Sequence, residues 1–238
     1  MKKLGIIGGL GPMATAYFLE RVTQMCDAKK DQEHIQIVLI SNPAIPDRTK
    51  FLLGESNNSP LPLIIKSAEQ LRTMGAEVIA IPCITAHCYY EQLVEACTLP
   101  IINPIRSVCK YLKVRNYRKI GIMCTDGTRK SKLFQKVFQG EELECIFPDE
   151  DSQKQVMNII YKQIKAGNPV DVNGFMIIGK KLRECGAQIL LLACTELSLI
   201  KKDYQLGPGY LDMLDILALD AVSECNRVKR EFMELVTK

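Results

Sequence analysis

The sequence contains no tryptophan and only two histidines, and none of its ten cysteines forms a CxxC pair. Without paired cysteines or clustered histidines, a zinc ribbon or a thioredoxin-type redox site is not expected, and we predict no metal. No apolar run reaches the roughly 18 residues that a membrane-spanning helix needs. We therefore expect no membrane span.

The sequence also has no cluster of charges of one sign. The net charge is +4, and the 31 basic residues are scattered along the chain. A scattered excess of this size gives no case for nucleic-acid binding and weakly favours a small anionic ligand. The 238 residues, 47% of them hydrophobic and 24% charged, suit one large or two small globular domains.

The first residues, "MKKLGIIGGLGPMATA", superficially resemble a secretion signal. The apolar stretch is short and is interrupted by glycines and a proline, so we expect a buried first strand instead. Ten cysteines in a chain without such a signal indicate a reducing cytoplasm, where thiols stay free.

Short apolar runs alternate with longer amphipathic ones, which predicts an α/β fold with parallel sheets. The predicted strands are Leu4–Gly8, Ile35–Ile40, Glu77–Ile81, Lys119–Met123, Glu144–Phe147 and Gln188–Leu192. The predicted helices are Pro12–Cys26, Pro62–Met74, His87–Cys97, Lys130–Phe138, Ser152–Ala166, Val172–Cys185 and a long final helix, Leu214–Val236.

An internal repeat organises these elements. "LRTMGAEVIAIPC" (71–83) and "LRECGAQILLLAC" (182–194) share Leu, Arg, Gly, Ala and Cys at identical offsets, and "KLGI" (3–6) precedes the first as "KIGI" (119–122) precedes the second. Two elements repeated in the same order indicate a duplication. We therefore predict two pseudo-symmetric α/β domains with parallel sheets and an active site in the cleft between them.

The division that we predict places residues 1–103 and 210–238 in the first domain and residues 104–209 in the second. Cys83 belongs to the first domain and Cys194 to the second. No low-complexity linker marks a boundary, and the final helix could lie on either domain.

Cys83 and Cys194 occupy equivalent places in the repeat, each after a strand and before a predicted helix. A thiol near a helix N-terminus is expected to favour the thiolate. Two thiols on opposite sides of a bound carbon could remove a proton from one face and deliver one to the other, with no cofactor. The alternative is that each is a small buried hydrophobe, which is how we interpret the other eight cysteines.

At these residues the sequence resembles the aspartate/glutamate racemase family, and aspartate racemases in particular. The resemblance runs the full chain. It is carried by "GIIGGLGPMAT" (5–15), "NPAIPDRT" (42–49), "PCITAH" (82–87), "TDGT" (125–128), "IKAGN" (164–168) and "CTEL" (194–197). It implies a pyridoxal-independent cytoplasmic racemase, often a homodimer, with a small dicarboxylic amino acid as substrate.

The resemblance also implies the site residues. Cys83 and Cys194 match the catalytic cysteines, and Arg48 and Lys165 match basic residues that hold the substrate's side-chain carboxylate. The implied pocket around these four is completed by Asp47, Thr49, Ile84, Thr85, Ala86, Thr125, Thr128 and Thr195. Arg48 could otherwise be a solvated loop charge, and Lys165 could favour a helix C-terminus. Thr85 and Thr195 could cap helices.

Two positions depart from the family pattern. Ile84 stands where the family usually has Asn, which removes a side-chain hydrogen bond to the substrate, and Ala193 replaces a glycine before Cys194. Both thiols remain, so the departures bear on affinity and on which amino acid is preferred. Aspartate is the leading substrate, and glutamate, a broader set of amino acids or a non-catalytic dicarboxylate-binding role are the alternatives.

Three further features have competing interpretations. Gly9-x-Gly11-x-x-Ala14 is similar to a dinucleotide fingerprint, but no acidic residue ends the second strand, so we predict a tight turn beside the pocket. His87 could tune the thiol, bind a metal or be structural, and we favour a structural role. Glu196 could orient groups around Cys194 or simply favour a helix N-terminus.

Overall fold

The computed structural model describes residues 1–238, which form two consecutive halves of similar design. The first half contains β1 (Leu4–Gly8), α1 (Pro12–Met25), β2 (Ile37–Ser41), α2 (Arg48–Leu53), α3 (Leu61–Thr73), β3 (Val78–Ala80), α4 (Tyr90–Ala96) and α5 (Pro104–Val114). The second contains β4 (Lys119–Met123), α6 (Asp126–Lys130), α7 (Leu133–Phe138), β5 (Glu144–Ile146), α8 (Glu150–Asn158), α9 (Val172–Glu184), β6 (Ile189–Leu192), α10 (Leu197–Asp203), β7 (Tyr210–Asp212) and α11 (Met213–Cys225).

Four shorter helical turns complete the chain. Three are 3-10 helices, at Asp31–Glu33, Ile84–Tyr89 and Arg230–Met233, and a π-helical turn, Ile159–Ile164, continues α8. No helix combines the length and the apolar character that crossing a membrane would require.

Each half is built on its own sheet, and every strand pair is parallel. The first sheet has the order β2-β1-β3 and the second β5-β4-β6-β7. A single parallel bridge between Ile79 and Ile101 places a short extended segment where β7 lies in the second sheet. The predicted α/β fold with parallel sheets is therefore confirmed.

The strand register shows that the sequence repeat is a structural repeat. Leu4 of β1 lies opposite Val78 of β3, and Ile120 of β4 lies opposite Ile189 of β6. The two pairs join corresponding positions of the repeated segments. A one-residue slip would turn a strand's side chains to the other face, so a shared register requires a shared pattern of burial.

Close packing explains why the repeated residues are Leu, Gly and Ala. A Cβ on Gly121 would lie 2.7 Å from Leu190 Cδ2 and 3.1 Å from the Cβ of Ala187, and one on Gly5 would lie 2.9 Å from the Cβ of Ala76. The helix preceding β3 or β6 therefore lies directly on the neighbouring strand β1 or β4. Only glycine in the strand leaves room for this approach.

The two halves share one hydrophobic core. Its members come from both sheets and from helices α1, α5, α7 and α11, with Phe18, Val108, Phe134 and Leu217 among the fully buried side chains. Helix α11 follows β7 of the second sheet, yet it packs against α1 and α5 of the first half. The domain boundaries that we predicted from the sequence remain a proposal.

The prediction of one helix over Leu214–Val236 is wrong. Helix α11 ends at Cys225, and Asn226 is extended, with φ −158°. Val228 then pairs with Cys26 in an antiparallel bridge, and the backbone N–H of Leu235 donates to the hydroxyl of Tyr111. Buried side chains and these bonds hold the segment in an irregular path that the helical spacing of its apolar residues did not reveal.

Several short elements were also absent from the prediction. They are α2, α5, α6, α10 and β7, of 6, 11, 5, 7 and 3 residues. The segment predicted as a helix from His87 to Cys97 divides into the 3-10 helix Ile84–Tyr89 and the shorter α4.

The turn after β1 requires glycine at position 9. Gly9 has φ +87°, and a Cβ there would lie 2.5 Å from the backbone N and C of Asn42. Its N–H donates to Thr15 Oγ1, which holds the turn against the start of α1. Gly54 also has a positive φ, +80°, but no atom lies within 4 Å of the position that its Cβ would take.

These two glycines provide a matched test of the turn. We expect Gly54→Ala to lower the free energy of unfolding by about 1 kcal/mol, because only backbone strain is added. Gly9→Ala adds a clash with backbone and should cost about 2 kcal/mol more. Urea unfolding measures both values, and equal losses in the two variants would contradict the steric account.

Candidate active site

Both repeat cysteines line one small enclosed cavity between the halves, which we call the inner cavity. Its volume of about 10 Å³ holds roughly one water molecule. It is lined by Leu10, Arg48, Thr49, Cys83, Ile84, Thr85, Thr125, Tyr161, Lys165, Cys194, Thr195 and Glu196. Both thiols are largely buried, with 6% exposure each.

The two cysteines reach the inner cavity by equivalent routes. Cys83 follows β3 by three residues and precedes the 3-10 helix Ile84–Tyr89, and Cys194 follows β6 by two residues and precedes α10. Strand β6 lies inside its parallel sheet, and β3 lies between β1 and the bridged segment at Ile101. The carboxyl ends of both strands open onto the crevice between the halves.

Burial changes one expectation made from the sequence. We predicted that each thiol would favour the thiolate at a helix N-terminus. The pKa of Cys194 is instead raised well above its usual value, first by burial and then by the negative charge of Glu196. The helix that follows Cys194 is short, and its partial charge does not offset desolvation.

Glu196 is a central polar residue of the site. Cys194 Sγ donates to Glu196 Oε2 at 2.9 Å. The other oxygen, Oε1, is buried without a hydrogen-bond partner and lies 3.6 Å from Lys165 Nζ. A Cβ on Gly11 would come within 2.7 Å of this oxygen, so glycine there leaves room for the carboxylate. Of the two interpretations of Glu196, this geometry favours contact with Cys194.

Lys165 joins the halves across the crevice. Its Nζ lies 3.9 Å from Asp47 Oδ2 as well as near Glu196, and 4.4 Å from the ring centre of Tyr161. The hydroxyl of Tyr161 donates to Asp47, at 3.1 Å to Oδ2. Burial lowers the pKa of Lys165, but nearby negative charge, chiefly that of Glu196, raises it by more, so the net shift is upward and the ammonium is retained.

Arg48 is buried at the start of α2 rather than solvated. Its Nη1 donates to the carbonyls of Ile45 and Pro46, and its Nη2 donates to the carbonyl of Leu10 at 2.7 Å. These bonds use three of the five guanidinium N–H groups and leave two, one of them on the unpartnered Nε. Two remaining donors can hold one carboxylate.

Hydroxyl groups cover another wall of the inner cavity. Thr85 Oγ1 lies 3.0 Å from Thr125 Oγ1 and 2.9 Å from Thr128 Oγ1, so the three side chains form a buried cluster across the crevice. Thr195 Oγ1 donates to the carbonyl of Pro82 at 3.2 Å. Thr49 packs against Gly127, where a Cβ would lie 2.8 Å from Thr49 Cα.

Three predicted site residues do not line the inner cavity. Ala86 is fully buried in the hydrophobic core and faces no part of it. Thr128 reaches the cavity only through its bonds to Thr85 and Thr125. Asp47 lies further out, beside the entrance described below.

A larger outer pocket adjoins the inner cavity. Its volume is about 360 Å³, and its wall includes Gly9, Gly11 and Ala14 at the start of α1. Leu10, Arg48, Lys165 and Glu196 line both spaces and form the partition between them. The glycine motif therefore forms a turn beside the pocket.

The contacts of His87 are those of a structural residue. Nδ1 of His87 lies 3.0 Å from the carbonyl oxygen of Cys83, one helical turn earlier, and the ring is buried. Burial lowers its pKa to about 4, so the ring is neutral. No group of three or more His, Cys, Asp or Glu side chains is arranged to hold a metal ion. A structural role for His87 accounts for these contacts.

Sequence reasoning missed Tyr161. It lies four residues before Lys165 on the same face of the π-helical turn, and that spacing alone could have paired the ring with the ammonium. Its hydrogen bond to Asp47 crosses between the halves, which no local pattern indicates.

Comparisons with known proteins agree with this architecture. The aspartate racemase of Picrophilus torridus superposes with a TM-score of 0.83 at 28% identity, covering 98% of each chain. A broad-specificity amino-acid racemase of Bacillus subtilis is 27% identical over 92% of this chain and 96% of its own length. A glutamate racemase of Bacillus anthracis, at 17% identity and a TM-score of 0.65, shares the fold.

The sequence profile of the Asp/Glu/hydantoin racemase family matches residues 7–221. That span includes all of the second sheet, the first sheet except the first three residues of β1, both repeat cysteines and every residue of the partition between the two pockets. The chain therefore belongs to the Asp/Glu/hydantoin racemase family and is an isomerase that acts on amino acids.

Proposed function

We propose that this enzyme interconverts L- and D-aspartate without pyridoxal phosphate, with Cys83 and Cys194 as the two acid/base groups. One observation carries the proposal: cysteines at equivalent positions of a structural repeat line the same enclosed cavity, together with two cations. Symmetric halves bring the thiols toward a ligand from opposite sides, and racemisation needs proton transfer on opposite faces of one carbon.

The surroundings of the two thiols support different starting roles. Cys194 has a raised pKa and donates a hydrogen bond to Glu196, so it holds its proton. Cys83 lies beside Arg48. Burial lowers the pKa of Arg48, but the charges of Cys83 and Asp47 raise it by more, so the net shift is upward. We infer that Cys83 removes the α-proton and Cys194 delivers one, and that the roles reverse in the other direction.

Two cations support a dicarboxylate substrate. The two free N–H groups of Arg48 can hold one carboxylate, and the ammonium of Lys165 can hold a second. The hydroxyls of Thr85 and Thr125 can donate to the α-carboxylate. The similarity to the Picrophilus torridus aspartate racemase favours aspartate over other acidic amino acids.

Removal of an α-proton requires stabilisation of the negative charge that develops on the substrate. Donors that are fixed in a site without bulk water stabilise such charge strongly. Here three carbonyls of the first half hold Arg48, and Glu196 of the second half lies beside Lys165, so each cation keeps a partner on its own side when the halves separate. The inner cavity is too small for aspartate, so binding requires the halves to separate, and the outer pocket gives the route of entry.

We expect Cys83→Ser and Cys194→Ser each to lower the rate of aspartate racemisation by about 10² or more, because each removes one proton-transfer group. Chiral chromatography of L- and D-aspartate, with no added pyridoxal phosphate, measures the rates. Cys185→Ser changes an exposed thiol far from the cavity and is the matched control. Wild-type rates in both Cys83→Ser and Cys194→Ser would end the two-thiol proposal.

A second test addresses the protonation of Cys194. Glu196→Gln removes the negative charge that, after burial, contributes most to raising the pKa of this thiol. We expect the pH midpoint for alkylation of Cys194, measured by mass spectrometry, to move to lower pH. Glu184→Gln, on the exposed end of α9, should leave it unchanged. A midpoint that stays in place or rises in Glu196→Gln would contradict the assigned contact.

A further inference from the structure

A separate cavity lies beside the 3-10 helix that follows Cys83. We call it the rear pocket. It has a volume of about 200 Å³ and lies between the 3-10 helix before α4, the start of α5 and the segment joining α6 to α7. His87, Cys88, Arg106, Ser131 and Lys136 are among its lining residues, and none of them lines the inner cavity.

The rear pocket has a buried polar atom without a partner. His87 is 2% exposed, and its Nδ1 bonds to the carbonyl of Cys83 at 3.0 Å. A carbonyl accepts only, so Nδ1 carries the hydrogen, and in a neutral ring Nε2 is then a bare acceptor. Nε2 makes no hydrogen bond of normal geometry, although the backbone of Ile102 also acts on the ring. A buried acceptor left unpaired is costly, so a donor group of a ligand would be stabilised there.

The rim of the rear pocket is cationic. Lys136 makes no ion pair, and its charge acts on the thiol of Cys88 on the pocket floor. Arg106 lies 3.4 Å from Glu91, and both side chains are exposed, so the pair leaves the guanidinium open to a further acceptor. Glu91 also lines the pocket, so the rim carries two cations and one carboxylate, and its net positive charge favours an anionic group such as a carboxylate.

The floor of the rear pocket touches residues of the active site from both halves. His87 bonds to the carbonyl of Cys83. Cys88 Sγ donates to Ser131 Oγ at 3.1 Å, and Ser131 Oγ donates at 2.7 Å to the carbonyl of Thr128, a member of the threonine cluster. A ligand in this pocket would thus be separated by one residue from Cys83 on one side of the crevice and by one residue from Thr128 on the other.

We propose that the rear pocket binds a small carboxylic acid that carries a hydroxyl or amino donor. The carboxylate lies at Lys136 and Arg106, and the donor group bonds to Nε2 of His87. Because the pocket adjoins Cys83 and Thr128, its ligand is an effector of the crevice. The effector role rests on the proposed function, whereas binding itself does not.

Alkylation of Cys88 reports occupancy at the pocket itself. Burial raises the pKa of Cys88 to about 11, so its reaction with iodoacetamide is followed by mass spectrometry at alkaline pH. L-lactate and L-alanine carry the carboxylate with a hydroxyl and an amino group respectively, and propanoate lacks the donor. We expect lactate or alanine to slow alkylation of Cys88 about tenfold at ten times its dissociation constant, because only the empty pocket reacts.

Three controls locate the ligand. Cys185, which is exposed, should alkylate at the same rate with and without ligand. Arg106→Gln combined with Lys136→Gln, both at exposed positions, should abolish protection, and Lys165→Gln, in the crevice, should retain it. Lack of protection by both lactate and alanine, equal protection by propanoate, or protection that survives the double substitution would each overturn the proposal.

The effector role has its own readout. The protecting ligand should change the racemisation rate of the wild type and leave that of the Arg106→Gln, Lys136→Gln enzyme unchanged. Protection of Cys88 without any change in the wild-type rate would overturn the effector role and leave the binding site intact. If the protein shows no racemase activity but the ligand still protects Cys88, the proposed function has failed and the rear pocket has not.

Discussion

The buried carboxylate of Glu196 is the constraint on which the rest of the site depends. A charge removed from water must be compensated by nearby opposite charge and hydrogen bonds. Cys194 donates to one oxygen, and Lys165 lies beside the other. Lys165 is in turn held by Asp47 and by the ring of Tyr161, so this chain of contacts joins the two halves over the cavity. The surroundings of Cys194 and the contact between the halves therefore depend on the same side chains.

Duplication gives the enzyme a symmetric frame, and individual substitutions make its two sides different. The register of β1 with β3 matches that of β4 with β6, and each cysteine follows its strand in the same way. Arg48 is a charged neighbour of Cys83, whereas Cys194 bonds to Glu196. Racemisation needs one proton acceptor and one proton donor at any moment. In the mechanism that we propose, opposite charges beside equivalent thiols would meet that need.

The sequence was informative where the pattern is local or repeated. Apolar runs identified six strands, and the repeated Leu, Gly, Ala and Cys identified the symmetry, because each depends on neighbours within one strand-helix unit. It failed where tertiary contacts decide. The end of α11 at Cys225 and the bond from Tyr161 to Asp47 both depend on residues more than 90 positions away. The raised pKa of Cys194 could not be predicted either, because burial outweighs the short helix that follows it.

The central claim is that two thiols act on opposite faces of one α-carbon. Racemisation of L-aspartate in heavy water, stopped at early conversion and analysed separately for each enantiomer, tests it most directly. A two-base enzyme should place deuterium at the α-carbon of the D-product while the remaining L-substrate keeps its protium, because different groups remove and deliver the proton. Equal deuterium in substrate and product, or none in either, would contradict the account.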